Sequence, residues 1–177
     1  MAEILLPEPS LVVLVGAAGS GKSTFAGRHF GLDEILASDA LRALVSGDEA
    51  DQAATRPAFA ILHRGVARRL AERRTTVVDA TNVQRHARLA LVRRASTAGV
   101  PAVAIVLDLP GSVVVERNMA RQGRVVDEAV VRAHLAQLQS ALDNDALIAE
   151  GFHLVYRIRT PAELDAALVR RTPRPPT

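Results

Sequence analysis

The sequence predicts an α/β protein with five parallel strands in one sheet and helices on both faces. Three observations carry this. Five short apolar runs, each of buried-strand length, recur along the chain. Stretches with apolar residues at helical spacing lie between them. The first run leads through a glycine-rich turn straight into a helix, the local order of a strand–loop–helix unit. At 177 residues the chain has the size of one domain with a substantial core.

The first strand is Leu11–Val15, followed by the turn Gly16-Ala17-Ala18-Gly19-Ser20-Gly21-Lys22-Ser23 and a short helix over 24–30. Glu34–Ala37 is the second strand. The longest helix is expected over 53–73, where Phe59, Leu62, Val66 and Leu70 recur at helical spacing. Thr75–Asp79 is the third strand, and the helix over 84–98 is closed by Gly99. Ala102–Asp108 is the fourth strand, followed by a helix over 111–121. The helix over 127–142 opens on acidic residues, which suit the positive end of a helix dipole. His153–Ile158 is the fifth strand. Thr160-Pro161-Ala162-Glu163 then has the form of a capping box with proline in the first turn. The expected division is a domain over 1–169 and a Pro/Arg-rich tail or linker over 170–177, which lacks apolar periodicity.

The chain has no cysteine, so it holds neither disulfides nor a thiolate metal site. Met1 to Leu6 lack the basic start of a signal peptide, and the apolar stretch from Val100 to Leu109 is far shorter than a membrane span. These features predict a cytoplasmic protein with no membrane partner. The net charge is only +3, so the pI of about 10.4 reflects arginine's high pKa; it permits a polyanionic partner without arguing for one. The five histidines show no metal-ligand spacing and are expected at the surface or in the core.

Of the 22 lysine and arginine residues, one is lysine, and it is Lys22 in the glycine-rich turn. A position that keeps lysine in so arginine-rich a chain requires a compact ammonium. The turn matches the phosphate-binding pattern G-x-x-x-x-G-K-[ST] at every fixed position. Gly16, Ala18, Gly19, Ser20, Gly21, Lys22, Ser23 and Thr24 are therefore expected to hold a nucleotide. Their backbone N–H groups would cradle phosphate oxygens, Lys22 would neutralise the β- and γ-phosphates, and the Ser23 hydroxyl would hold Mg²⁺. Asp79 ends the third strand in a Walker B arrangement, which places a second oxygen donor near Mg²⁺. Thr81 and Asn82 either cap the next helix or serve the site.

Asp39 ends the second strand, at the sheet edge where α/β sites form, and Arg42 lies one helical turn on. A carboxylate there can take the proton of an attacking hydroxyl, and the arginine can hold an anionic group of the acceptor. The plainer alternative is a helix cap beside a surface arginine. Arg117, Arg121 and Arg124 fall in a helix–loop–helix segment. Arg117 and Arg121 are expected on one helix face, with a hinge at Gln122-Gly123. Such a segment is either a mobile lid that stabilises a transferring phosphoryl group or a solvated basic face.

The motifs together resemble the 5′-polynucleotide kinase module of bacterial RNA-repair polynucleotide kinase-phosphatases. The resemblance rests on 11–30, Ala37-Ser38-Asp39 with Arg42, 44–52, Asp79-Ala80-Thr81-Asn82-Val83-Gln84 and Glu116-Arg117-Asn118, and spans about 4–168. It implies a P-loop kinase fold with strand order 2-3-1-4-5 and a helical lid. It implies transfer of the ATP γ-phosphate, with Mg²⁺, to the 5′-OH of RNA or DNA. Lys22 and Ser23 would serve ATP and Mg²⁺, Asp39 would be the general base, Arg42 would hold the acceptor phosphate, and Arg117 would act in the lid, with Arg121 and Arg124 nearby. In that family the kinase is one part of a longer protein with phosphatase and ligase-like parts, and nothing resembling either occurs here.

Two other functions fit the same motifs. One is a small-molecule kinase acting on a sugar, nucleoside or antibiotic hydroxyl. The other is a nucleotide switch without phosphotransfer, which would need no acceptor base. RNA or DNA preference, choice of nucleoside triphosphate and oligomeric state are open at this level.

Overall fold

The computed structural model describes residues 3–48, 51, 53–122 and 124–173. Glu49, Ala50 and Gln52 of the family-like segment, Gly123 of the expected hinge, and the last four residues of the expected tail lie outside them. In chain order the elements begin β1 (Glu3–Glu8), β2 (Leu11–Val15), α1 (Lys22–His29), β3 (Ile35–Ala37), α2 (Ser38–Ser46), α3 (Thr55–Ala71) and β4 (Thr76–Asp79). They continue α4 (Arg85–Thr97), β5 (Ala102–Leu107), α5 (Gly111–Met119), α6 (Glu128–Leu142), α7 (Ala146–Ala149), β6 (Leu154–Ile158), α8 (Pro161–Asp165) and β7 (Leu168–Pro173).

The main sheet has five parallel strands in the order β3-β4-β2-β5-β6. Counting only the five strands expected from the sequence, this is 2-3-1-4-5. Alternation along β2 shows how the layers form. Leu11, Val13 and Val15 face one core, with Leu62 and Val66 of α3 and Leu91 and Ala95 of α4. Val12 and Leu14 face the other, with Phe25 of α1, Val114 of α5 and Ile158 of β6. Both faces are covered, so every residue of β2 and β5 is buried and neither strand shows alternation in its sequence. The expected cap forms at Thr160, whose Oγ1 accepts from the Glu163 N–H at 3.1 Å, while the Glu163 carboxylate reaches one residue further back than a capping box requires and accepts from Arg159 N–H at 2.7 Å. No helix of the described residues is long and apolar enough to cross a membrane.

A second sheet pairs β1 with β7 in parallel, from Glu3 opposite Leu168 to Glu8 opposite Pro173. This corrects the reading of 170–173 as tail. Ile4 and Leu6 are wholly buried in the second core, and the Tyr156 hydroxyl donates to Leu5 O while accepting from Leu5 N–H. Arg171 of β7 donates to the carboxylates of Glu8 and Glu34 at 2.6–2.8 Å. This pairing raises the Arg171 pKa and lowers that of Glu34.

Candidate functional site

The parallel strands end on one edge, and three of them deliver a chemical group to it. The phosphate loop follows β2, Asp39 follows β3 and Asp79 closes β4. Gly19 and Gly21 have φ of +86° and +94°, the left-handed region that favours glycine. A Cβ on Gly19 would lie 2.5 Å from the Val114 carbonyl oxygen and 2.9 Å from Asn118 Cβ, so only glycine lets the loop sit against α5. The Gly16 N–H donates to Thr81 O at 2.9 Å and ties the loop's start to the end of β4.

Lys22 is buried, and its Nζ donates to Gly16 O at 2.9 Å, Ala17 O at 2.8 Å and Ser20 Oγ at 3.4 Å. Burial lowers its pKa to about 8, against the opposing pull of Asp79 and Asp39. Ala18, Gly19, Gly21, Lys22, Ser23 and Thr24 line a cleft of about 1290 Å³. Gly16 and the buried Ser20 are not on its wall; they buttress the loop from beneath.

Asp79 is buried and raised in pKa, chiefly by desolvation, while its hydrogen bond with Ser23 and the charge of Lys22 pull the other way. A buried carboxylate beside a hydroxyl is an oxygen donor pair of the kind Mg²⁺ takes, and a cation would relieve its desolvation. Among the described residues no group of three or more His, Asp or Glu is placed to hold a metal. Ser23 and Asp79 therefore fit an ion that takes its remaining ligands from phosphate and water.

Asp39 lies in the first turn of α2, whose cap position is Ala37 and has no side-chain cap bond, so Asp39 is not the helix cap. Its Oδ1 accepts from Arg42 Nη2, and Arg124 Nη1 lies 3.7 Å from the same oxygen. Arg42 is buried, which contradicts the surface alternative, while Asp39 stays partly open to the cleft.

The arginines of the lid segment separate along the cleft. Arg117 Nη1 lies 3.7 Å from where a Cβ on Gly21 would be, against the phosphate loop. The charge of Arg121 is felt by both Lys22 and Asp79, and Arg124 reaches Asp39. The expected shared helix face of Arg117 and Arg121 does not form, because α5 ends at Met119 and Arg121 lies beyond it. The buried Asn118 explains the early stop. Its Nδ2 donates to Val126 O at 2.7 Å and its Oδ1 accepts from Val126 N–H at 3.2 Å, folding the segment back towards α6.

Of the two roles expected for Asn82, capping α4 is not taken, since the cap position is Gln84; Asn82 lines the cleft, adopts φ +48° and donates to Leu14 O at 2.8 Å, latching β4 to β2. Sequence reasoning missed other residues here. Arg88, fully buried in α4, donates to Glu150 at 2.6 and 2.7 Å and to the carbonyls of Asn82 and Val83 at 3.1 and 2.6 Å. That network fixes the loop after Asp79. His63, His86 and His134 line the cleft. Burial lowers the pKa of His134, and the charges of Lys22 and Arg124 lower it further.

The Lys22 geometry gives a pH prediction. A bound triphosphate would return the ammonium towards its ordinary value of 10.5, so the bound form holds a proton that the free form loses above about pH 8. Nucleotide affinity falls as pH rises through 8, and binding at pH 8.5 takes up a fraction of a proton approaching one, against almost none at pH 7. Calorimetry in two buffers of different ionisation enthalpy reads this directly; equal uptake at both pH values would contradict it.

A family model described as an AAA domain matches residues 11–144. No curated protein matches the chain in sequence. A chain of the Pnkp1/Rnl/Hen1 RNA repair complex superposes with a TM-score of 0.67 at 25% identity, over 77% of this chain and 46% of its own length. This chain thus spans less than half of that relative. A putative kinase from Chloroflexus aurantiacus superposes at 0.63 with 17% identity, over 89% of this chain and 94% of its own. A sugar kinase from Janibacter superposes at 0.60 with 22% identity, over 88% and 90%.

Proposed function

Because this chain belongs to the AAA domain family and has the P-loop kinase fold, we propose that it transfers the γ-phosphate of ATP to the 5′-OH end of RNA or DNA. One observation carries the reading: a phosphate loop and a carboxylate, Asp39, share one cleft, and arginines stand at both. A nucleotide switch needs no such carboxylate on the acceptor side. The likeness to the RNA-repair complex chain supports a nucleic-acid acceptor.

In this reading Lys22 leaves the Gly16 and Ala17 carbonyls for the β- and γ-phosphates, and the backbone N–H groups from Ala18 to Ser23 cradle them. Ser23 and Asp79 would hold Mg²⁺, which supplies charge neutralisation between the phosphates. Asp39 takes the proton from the 5′-OH as that oxygen bonds to the γ-phosphorus and the bond to the β-phosphate oxygen breaks. ADP leaves, and Asp39 returns the proton to solvent. Arg42 fixes the Asp39 carboxylate and is placed to meet the acceptor's first phosphate. Arg117, Arg121 and Arg124 stabilise charge on the moving phosphoryl group. The RNA-repair likeness also supports a parent protein with further end-healing domains joined to this one.

Arg117→Ala should lower kcat by about 10- to 100-fold and change ATP affinity much less, because the charge it meets develops during transfer. Single-turnover kinetics with separate nucleotide binding resolves the two, and an unaltered kcat would remove Arg117 from the mechanism. The function itself is tested by label transfer from γ-labelled ATP to 5′-OH oligonucleotides, gluconate and nucleosides in competition. Oligonucleotides should take the label. Preferential labelling of a small alcohol, or ATP turnover indifferent to any acceptor, would overturn the proposal.

A further inference from the structure

The cleft does not stop at Asp39. It continues on the β3–β4 side between two helices, where Arg56, Phe59 and His63 of α3 line it along with His86, Ala87 and Ala90 of α4. The α3 residues recur every three or four positions and so share one helix face. Three of the four phenylalanines, Phe25, Phe30 and Phe152, are buried in or beside the cores, whereas Phe59 is half-exposed on this wall. Its ring centroid lies 6.4 Å from that of His63, at 46°. The α4 residues Ala87 and Ala90, which line the same stretch, carry only methyl side chains and add little bulk to it. His63 Nδ1 and Thr55 Oγ1 are buried without a hydrogen-bond partner among the described residues. Burial and the charge of Arg94 lower the His63 pKa, which favours a neutral imidazole able to meet a polar edge.

Charge complements this shape. Among the described residues lining this part of the cleft none is acidic, and Arg56 and His86 are both exposed to it. The first turns of α3 and α4 also hold no acidic residue. An apolar ring beside unpaired polar atoms, with the Arg56 guanidinium at its side, matches a nucleobase attached to phosphate better than a polyol.

Building on the kinase reading above, we infer that this extension is a second nucleotide subsite. The base 3′ of the accepting nucleotide stacks on Phe59 with its edge towards His63, and Arg56 meets the phosphate that follows. The site thereby selects single-stranded ends of at least two nucleotides over mononucleotides and sugars. The accepting nucleotide itself stays at Asp39 and Arg42.

The test uses the whole chain and a 5′-OH trinucleotide whose second position is either a normal base or abasic. Binding is read by fluorescence anisotropy and transfer by γ-label, each separately. With the wild-type protein, the abasic change should raise KM roughly ten-fold, the scale of one base–aromatic stack. Phe59→Ala should raise KM for the normal trinucleotide by a similar factor and respond little to the abasic change, so the two effects do not add. Phe59→Leu keeps an apolar side chain of similar size and should show the same pattern if alanine compromises folding. Arg56→Ala, at an exposed position, should weaken binding and reduce the slope of log affinity against log salt by about one. If oligonucleotides are phosphorylated but Phe59 variants keep full abasic discrimination, the subsite is wrong and the kinase reading stands. If binding shows the Phe59 dependence but no label is transferred, the subsite stands and the kinase reading falls. If no oligonucleotide binds, both fall.

Discussion

Under the proposed kinase mechanism, Lys22→Ala should lower phosphotransfer by on the order of 10³-fold or more and leave the fold intact. In that mechanism Lys22 moves from the loop carbonyls to the β- and γ-phosphates, and burial makes its charge count for more than in water. Stability should survive the change. An ammonium whose pKa falls to about 8 is one whose burial costs folding free energy, and its bonds run to two loop carbonyls and a hydroxyl that water can satisfy instead. The sign follows from linkage. The unfolded chain binds more protons than the folded one between pH 8 and 10.5, so this group's penalty is greatest below pH 8 and fades as pH rises. Lys22→Arg should fail as well, because Ser20 and the Gly16 and Ala17 carbonyls close the space beneath the loop around a single nitrogen. Label transfer and a thermal melt on the same preparations check both statements; near-normal turnover in either variant would refute the role.

The second large effect is at Asp39. Asp39→Ala should slow transfer by on the order of 10²-fold or more while nucleotide binding persists, because in the proposed mechanism the carboxylate serves the attacking hydroxyl and not the phosphates of the donor. Alanine also takes the carboxylate away from the buried Arg42, so part of any loss could come from a displaced α2. Asp39→Asn separates the causes. The amide oxygen still accepts from Arg42, but the group cannot take a proton. Equal loss in both variants, with equal melting curves for asparagine and wild type, assigns the effect to proton transfer. Lost ATP affinity with unchanged turnover at saturation would place Asp39 on the donor side instead.

The fold was legible where burial alone decides structure. The central strands β2, β4 and β5 are wholly buried because both faces are covered, and their apolar runs are visible in sequence without knowing any partner. The phosphate loop was legible because its glycines and Lys22 are a local arrangement, complete within eight residues. What stayed hidden depends on partners distant in sequence. β1 and β7 read as ordinary termini because each is completed only by the other, and Arg171 and Glu8 are 163 residues apart. The stop of α5 at Met119 has no local signal, since Ala120 favours helix; Asn118 imposes it by binding Val126. Arg88 looks like a surface arginine until Glu150 is brought to it from 62 residues away. The cleft histidines share this cause: helical spacing says which residues share a face, not which face looks into a cleft.

The pairing of β1 with β7 gives the domain a mechanical character. The two strands run the same way, and one is the first element and the other the last. Tension applied between the two ends of the domain pulls these strands along each other in shear. All six register pairs, from Glu3–Leu168 to Glu8–Pro173, are then strained together instead of peeling one at a time. Arg171, gripping Glu8 beside it and Glu34 ahead of β3, fastens the same seam to the main sheet. A stretched domain of this design holds until the whole seam slips at once, so its lifetime under load is set by one barrier that belongs to the seam as a whole.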